Sequence, residues 1–199
     1  MGIVSGTFRK DDPGGREGRF YSELAGQLAC RTPHLIERGD GYVVLERLPP
    51  ARPLEEWTPA DLLSGARMLA LVHGAFYGVA ALHEERPWLP LEPGDLVALV
   101  HGDFRPGHLH MAEDGTKWVV SWRRVRLGDP AGELASYAAA ATEMRPRLTF
   151  DALSASYLEV LRDRLELPAD PAHYLRAWEA RRGRGRTPGS GRRSAPSRA

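Results

Sequence analysis

Across residues 59–83 apolar side chains recur at helical spacing: Leu62, Ala66, Leu69, His73 and Phe76 share one side of a long predicted helix. Thr58 stands before it as an N-cap, and Asp61, three residues on, plays the carboxylate part of a capping box. A shorter stripe of Phe20, Leu24 and Leu28 predicts a helix over residues 16–29, entered from the turn-rich Gly14 and Gly15. Residues 42–48 read as a strand that Pro49 and Pro50 stop, and the apolar run 96–100 reads as a buried strand. Residues 109–111 and 118–120 flank Glu113, Asp114, Gly115 and Thr116, a spacing that suggests a hairpin. An alanine-rich helix follows over 130–144, with Asp129 as N-cap and Pro130 at its first position. Helices over 149–165 and 172–180 complete the pattern, and no internal repeat is visible.

Composition changes this picture little. The hydrophobic fraction of 42% and charged fraction of 27% are those of a soluble globular chain. No apolar run approaches the roughly 20 residues that span a bilayer, and the N-terminus lacks a signal core. Cys30 is alone, which excludes a disulfide framework and a cysteine zinc site. These features fit a cytoplasmic protein with an incidental thiol. The net charge of +1 hides an asymmetry. Taking the 7 arginines of residues 181–199 from the 27 basic residues leaves 20 against 26 acids in the body. An acidic body therefore carries a basic tail expected to be disordered; solvated tail is the preferred reading over nucleic-acid binding by counterion release.

The chemistry concentrates between the buried strand and the alanine-rich helix. His101, Gly102, Asp103, Phe104, Arg105, Pro106, Gly107 and His108 form a loop held between strands, a setting that can place a carboxylate beside a substrate hydroxyl. Val119, Val120, Ser121 and Trp122 follow, then Gly128, Asp129, Pro130, Ala131, Gly132, Glu133, Leu134 and Ala135. In order and spacing these segments resemble the aminoglycoside phosphotransferase and choline kinase family, whose loop reads H-G-D-x-x-P-x-N, followed by Asp-Trp and G-D-P-x-x-D-L-A.

The resemblance implies an α+β, protein-kinase-like fold: mostly the helical C-terminal lobe with its catalytic β-hairpin, and only a remnant of the N-terminal lobe. It divides the chain into 1–50, N-lobe remnant and hinge; 51–180, helical lobe with the loop; and 181–199, the arginine-rich tail. It implies ATP and magnesium as cofactors and a small-molecule hydroxyl as acceptor, with Asp103 as general base. His101 and Asp129 would support the loop, Lys10 and Glu17 would pair across the phosphates, and Glu46 to Leu48 would form the hinge over the adenine. The family's two metal ligands fall on His108 and Ser121. Magnesium prefers hard oxygen donors, so imidazole and a lone hydroxyl are poor substitutes there. The expected function is thus ATP-dependent phosphoryl transfer to a small-molecule hydroxyl, impaired in this chain; the alternative is a catalytically inactive pseudokinase or truncated remnant acting as a binding module. A transition-metal site built from His101, Asp103, His108 and His110 is a weaker reading, since the surrounding Gly, Pro and Asp fit the kinase-like loop better. Arg105 could face phosphate, an acid or solvent, and His73 is expected to be a packed core histidine.

Overall fold

The computed structural model describes residues 6–165 and 170–184. A three-stranded antiparallel sheet comes first: β1 (Thr7–Asp11), β2 (Leu35–Gly39) and β3 (Tyr42–Glu46), in the order β1-β3-β2. Thr7 lies opposite Glu46 and Asp11 opposite Tyr42, a register that puts Phe8 and Lys10 opposite Leu45 and Val43. Strand β2 was not anticipated. It joins β3 through Asp40 and Gly41, whose φ of 75° is open to glycine at no steric cost. Between β1 and β2 lies helix α1 (Arg16–Glu23). Asp12 accepts the amide of Gly18 at 2.8 Å and so caps the helix from outside it. The helix ends at Glu23, six residues earlier than its apolar stripe suggests, and a 3-10 turn over Ala25–Gln27 carries the chain on through Gly26.

The helical part is built on α2 (Pro59–Ala75), α4 (Pro130–Met144), α5 (Phe150–Arg164) and α6 (Pro171–Arg184), with the one-turn α3 (Leu82–Glu85) between α2 and the loop region. Thr58 and Asp61 form the expected capping box. Helix α2 stops at Ala75 rather than running to residue 83. Gly78, at φ 74°, turns the chain, and its amide bonds to Val97 O at 2.7 Å instead of continuing the helix. Two short antiparallel pairs complete the strands: β4 (Ala98–Val100) with β7 (Arg126–Gly128), and the hairpin of β5 (Leu109–Met111) with β6 (Lys117–Val119).

One core runs through both parts. Trp57, Leu62, Leu69, Leu99, Trp122, Leu134, Tyr137, Leu153 and Leu161 are all buried. Phe20 of α1 stacks on Trp122 with ring centroids 3.8 Å apart, which fixes the small sheet's helix to the loop region. Cys30 packs partly against this core, and burial pushes its thiol up to about 12, so it stays protonated and inert. No helix among the described residues is long and apolar enough to cross a membrane. Helix α6 continues to Arg184, four residues into the stretch expected as tail; residues 185–199 lie outside the described part.

Helices α2 and α4 meet closely at Gly65, where an added Cβ would collide with the Tyr137 hydroxyl. That hydroxyl donates to Leu62 O at 2.7 Å. In Gly65→Ala the helix-propensity gain of about 1 kcal/mol opposes overpacking of about 1–3 kcal/mol and the loss of the hydrogen bond, worth about 1 kcal/mol. The expected result is a net loss of about 2 kcal/mol in urea unfolding, with partial recovery when Tyr137→Phe is added. Equal or raised stability in Gly65→Ala alone would contradict this packing.

Candidate active site

The His101–His108 loop leaves β4 at Val100 and is held from behind by a buried carboxylate. Glu133, on the first turn of α4, accepts the amide of His101 at 2.8 Å and the amide of Gly102 at 2.6 Å. Its Oε2 also lies 3.1 Å from His73 Nε2. Burial alone would raise this carboxyl, but the hydrogen bond and charge of His73, with the loop amides, outweigh it and hold the group below the usual glutamate range. Gly102 has φ 86°, and a side chain there would run into Arg124 O. Only glycine permits the backbone to turn so tightly onto the carboxylate.

His101 is fully buried, and its two nitrogens are both used. Nε2 donates to Val120 O at 2.7 Å, and Nδ1 accepts the amide of Asp103 at 3.3 Å. Burial lowers its pKa, in agreement with the neutral Nε2–H tautomer that these partners require. Its ring thus ties the loop to the strand leading to Ser121. Asp103 is about one-third exposed, with Arg105 Nε 3.6 Å from Oδ1 and His108 Nδ1 3.7 Å from Oδ2. Its oxygens face a cleft of about 550 Å³, shared with Arg105, Arg126, Asp129, Glu133 and Glu143. Asp129 caps α4, accepting Ala131 N and Gly132 N at 2.9 and 3.1 Å, and receives His173 Nε2 at 3.0 Å.

A second cavity of about 270 Å³ lies under the small sheet. Lys10, Glu17, Glu46, Leu48 and Ser121 all line it, so residues far apart in sequence and singled out there meet around one space. Lys10 Nζ is 2.8 Å from both carboxylate oxygens of the fully buried Glu17 side chain. The same carboxylate accepts Trp122 N at 3.0 Å and has Arg123 Nε at 3.7 Å. The wall includes His110, whose Nε2 donates to Pro49 O at 2.7 Å. Phe8, Tyr21 and Leu45 add apolar surface.

The two positions where metal ligands would fall have been turned to other uses. His108 Nδ1 bonds to Asp103 O at 2.7 Å, and Arg105 lies 3.4 Å from Nε2. A guanidinium at that nitrogen excludes a dication beside it. Ser121 sits at φ 70°, the left-handed region, on the sheet-side cavity. No group of three His, Cys, Asp or Glu able to hold a metal ion occurs among the described residues. The donor set does not fit magnesium, and of the residues in the transition-metal reading His101 spends both ring nitrogens on Val120 O and Asp103 N while His110 Nε2 bonds to Pro49 O.

The model of the phosphotransferase enzyme family matches residues 23–170. The chain belongs to that family. Among solved structures it is similar to macrolide 2′-phosphotransferase MphH from Brachybacterium faecium, at 17% identity and a TM-score of 0.58, covering 86% of this chain and 73% of that one. It is also similar to choline kinase LicA from Streptococcus pneumoniae, at 12% identity and a TM-score of 0.55, covering 92% of this chain and 81% of that one. A choline/ethanolamine kinase family protein from Mesorhizobium loti gives 12% identity and a TM-score of 0.52, covering 93% and 84%. A search of curated protein sequences finds no match. At these identities the likeness is one of fold, and the fold of this family member is protein-kinase-like, with a small sheet lobe and a helical lobe.

Sequence reading matched Glu133 to the family motif without giving it a role. Its signal was a carboxylate in the first turn of a helix, four residues after a capping Asp; nothing local says that it points back to the loop. Its depressed pKa sets a pH dependence. Such a group contributes stability above its unfolded pKa, about 4.3, and that contribution is lost as pH falls through the lower folded value. Urea midpoints of the native chain should therefore fall steeply below pH ~4.3. Glu133→Gln should be less stable by about 3 kcal/mol at pH 7 and show a flatter acid limb. An acid limb as steep as the native one would remove Glu133 from this role.

Proposed function

We propose that this phosphotransferase-family chain binds ATP through the cavity under the sheet and a hydroxyl-bearing small molecule in the cleft before Asp103, and transfers phosphate between them poorly. The observation that carries the reading is the Lys10–Glu17 pair on the wall of a cavity that also contains the hinge residues Glu46 and Leu48. A lysine held by a buried carboxylate beside an apolar slot suits a nucleotide, with the base against Leu45 and Leu48 and the phosphates toward Nζ. ATP would supply the phosphoryl group. Asp103, part-exposed and unburdened by a strong partner, can accept an acceptor hydroxyl's proton. Glu143, Asp129 and Asp103 give the cleft an acidic side that favours a cationic acceptor such as an aminosugar or amino alcohol.

The impairment follows from charge. Phosphoryl transfer depends almost entirely on positioning and on cations against the developing negative charge. Here His108 is committed to Asp103 O and Ser121 brings no carboxylate. These same features support a second reading, a pseudokinase that binds nucleotide and does no chemistry.

A thermal-shift titration with ATP, with and without magnesium, tests the proposal. At ten times the dissociation constant, ATP adds about 1.4 kcal/mol, or a rise of ~3–5 °C, and magnesium should not enlarge it. Transfer to aminosugars or amino alcohols should be detectable but slow. In His108→Asn/Ser121→Asp the rise should become magnesium-dependent and transfer faster. Absence of any shift at millimolar ATP in the native chain would overturn the nucleotide reading; a shift without transfer in either protein would leave the pseudokinase.

A further inference from the structure

The carboxylate that holds the His101–His108 loop is the end of a longer buried chain of polar groups. His73 of α2 bridges Glu133 Oε2, 3.1 Å from Nε2, and the Tyr157 hydroxyl of α5, 2.8 Å from Nδ1. Tyr157 Oη lies 3.4 Å from Tyr174 Oη of α6, and Tyr174 Oη lies 3.4 Å from Tyr77 Oη, just past the end of α2. His73, Tyr157 and Tyr174 are each no more than 1% exposed. Buried hydroxyls and imidazoles must find partners within the protein, and here they find one another. With Glu133 ionised, His73 donates to it through Nε2–H and bonds to the Tyr157 hydroxyl through Nδ1, and the tyrosine hydroxyls continue the line at longer range. At its other end the carboxylate holds the amides of His101 and Gly102. One residue before Tyr174, His173 reaches Asp129, the cap of α4, at 3.0 Å.

We infer that helix α6 positions the loop bearing Asp103, acting through Tyr174 and Tyr157 on His73 and Glu133, with His173 on Asp129 as a second tie. Tyr157 and Tyr174 are positioning residues: neither lines the cleft, yet both set the orientation of the group that fixes the loop backbone. Hydrogen bonds in series polarise one another in a low-dielectric interior, so cutting the line in the middle weakens the far end. Docking of α6 thereby becomes a condition for a well-ordered loop, and any event that loosens α6 relaxes Asp103. The inference rests on reading the His101–His108 loop as the working loop, but its test does not use phosphoryl transfer.

Amide exchange measured by NMR on the full chain reads the loop directly, and the ring 15N shifts of His73 read its tautomer. In Tyr157→Phe, which keeps the ring and removes the hydroxyl, the amides of His101, Gly102 and Asp103 should exchange several-fold faster than in the native chain. The His73 Nδ1 resonance should move with them. Leu158→Ala, on the same helix but outside the line, should lower the melting temperature without singling out these amides. Tyr174→Phe should give the same signature as Tyr157→Phe in smaller degree, and serves alone if Tyr157→Phe does not fold. Loop amides unchanged in both tyrosine variants, or changed equally by Leu158→Ala, would overturn the inference. A chain that binds no ATP would refute the functional reading while leaving this measurement intact.

Discussion

The arrangement of this molecule turns on one buried carboxylate. Glu133 accepts two successive backbone amides, His101 and Gly102, and a side chain from a second helix, His73. Burying a carboxylate costs several kcal/mol, and charge-assisted hydrogen bonds return about 1.5–3 kcal/mol each. Three such bonds more than offset that cost, in keeping with the lowered pKa of the group. What it fixes is position. Strand β4 ends where the loop begins, α4 begins where Asp129 caps it, and α2 passes alongside. All three are referred to the same two oxygens. Losing the carboxylate would leave the amides of His101 and Gly102 without acceptors in a turn that only glycine permits.

Around this frame the residues divide by what binds them. His101, Gly102, Asp129 and Glu133 are held by backbone groups, so their chemistry is required whether or not any ligand is present. Lys10 and Glu17 are a different case. The Glu17 carboxylate is fully buried: Oε1 accepts from Lys10 Nζ and Trp122 N, while among the described residues Oε2 has no hydrogen bond and only the charges of Lys10 and, more distantly, Arg123 beside it. Those contacts also join α1 to the segment after Ser121, alongside the stacking of Phe20 on Trp122. The pair proposed to face nucleotide phosphates is thus also a structural tie between α1 and the segment after Ser121.

Much of the helical part was legible in the sequence because its signals are local. Thr58 with Asp61, and Asp129 with Pro130, are capping patterns that work through neighbouring amides, and both appear where expected. The hairpin after the loop also follows from local alternation and turn residues. Helix ends were less legible. Leu28 continues the stripe of α1 and the pattern of α2 runs on to His83, yet α1 gives way to a 3-10 turn after Leu24 and Gly78 turns the chain beyond α2, changes that apolar spacing does not register. Strand β2 escaped because Leu35, Ile36, Glu37 and Arg38 do not alternate cleanly; a bulge between Leu35 and Glu37 shifts their faces. The resemblance singled out Lys10 and Ser121 separately, and no local rule brings those two residues to one cavity. The line from Glu133 to Tyr174 had no sequence signal, because it joins four helices through single atoms.

Ser121 and His108 differ in how far each stands from the metal-binding alternative. Ser121 already occupies the left-handed region, where aspartate and asparagine are several-fold enriched among non-glycine residues. An aspartate there needs no new backbone strain. It would, however, put a third carboxylate on the cavity lined by Glu17 and Glu46, and like charges in one site drive each other toward protonation unless a cation intervenes. His108 is the harder change. Its Nδ1 braces Asp103 through the carbonyl, so a replacement must keep a donor at that point as well as present an oxygen outward. An asparagine amide has both, with its NH2 and its carbonyl on opposite sides. Arg105 would then lose the imidazole it faces and be freed to turn toward whichever anion the cleft holds. The two positions therefore differ in what a change must preserve: at Ser121 only the backbone conformation, at His108 the hydrogen bond to Asp103 O that braces the loop.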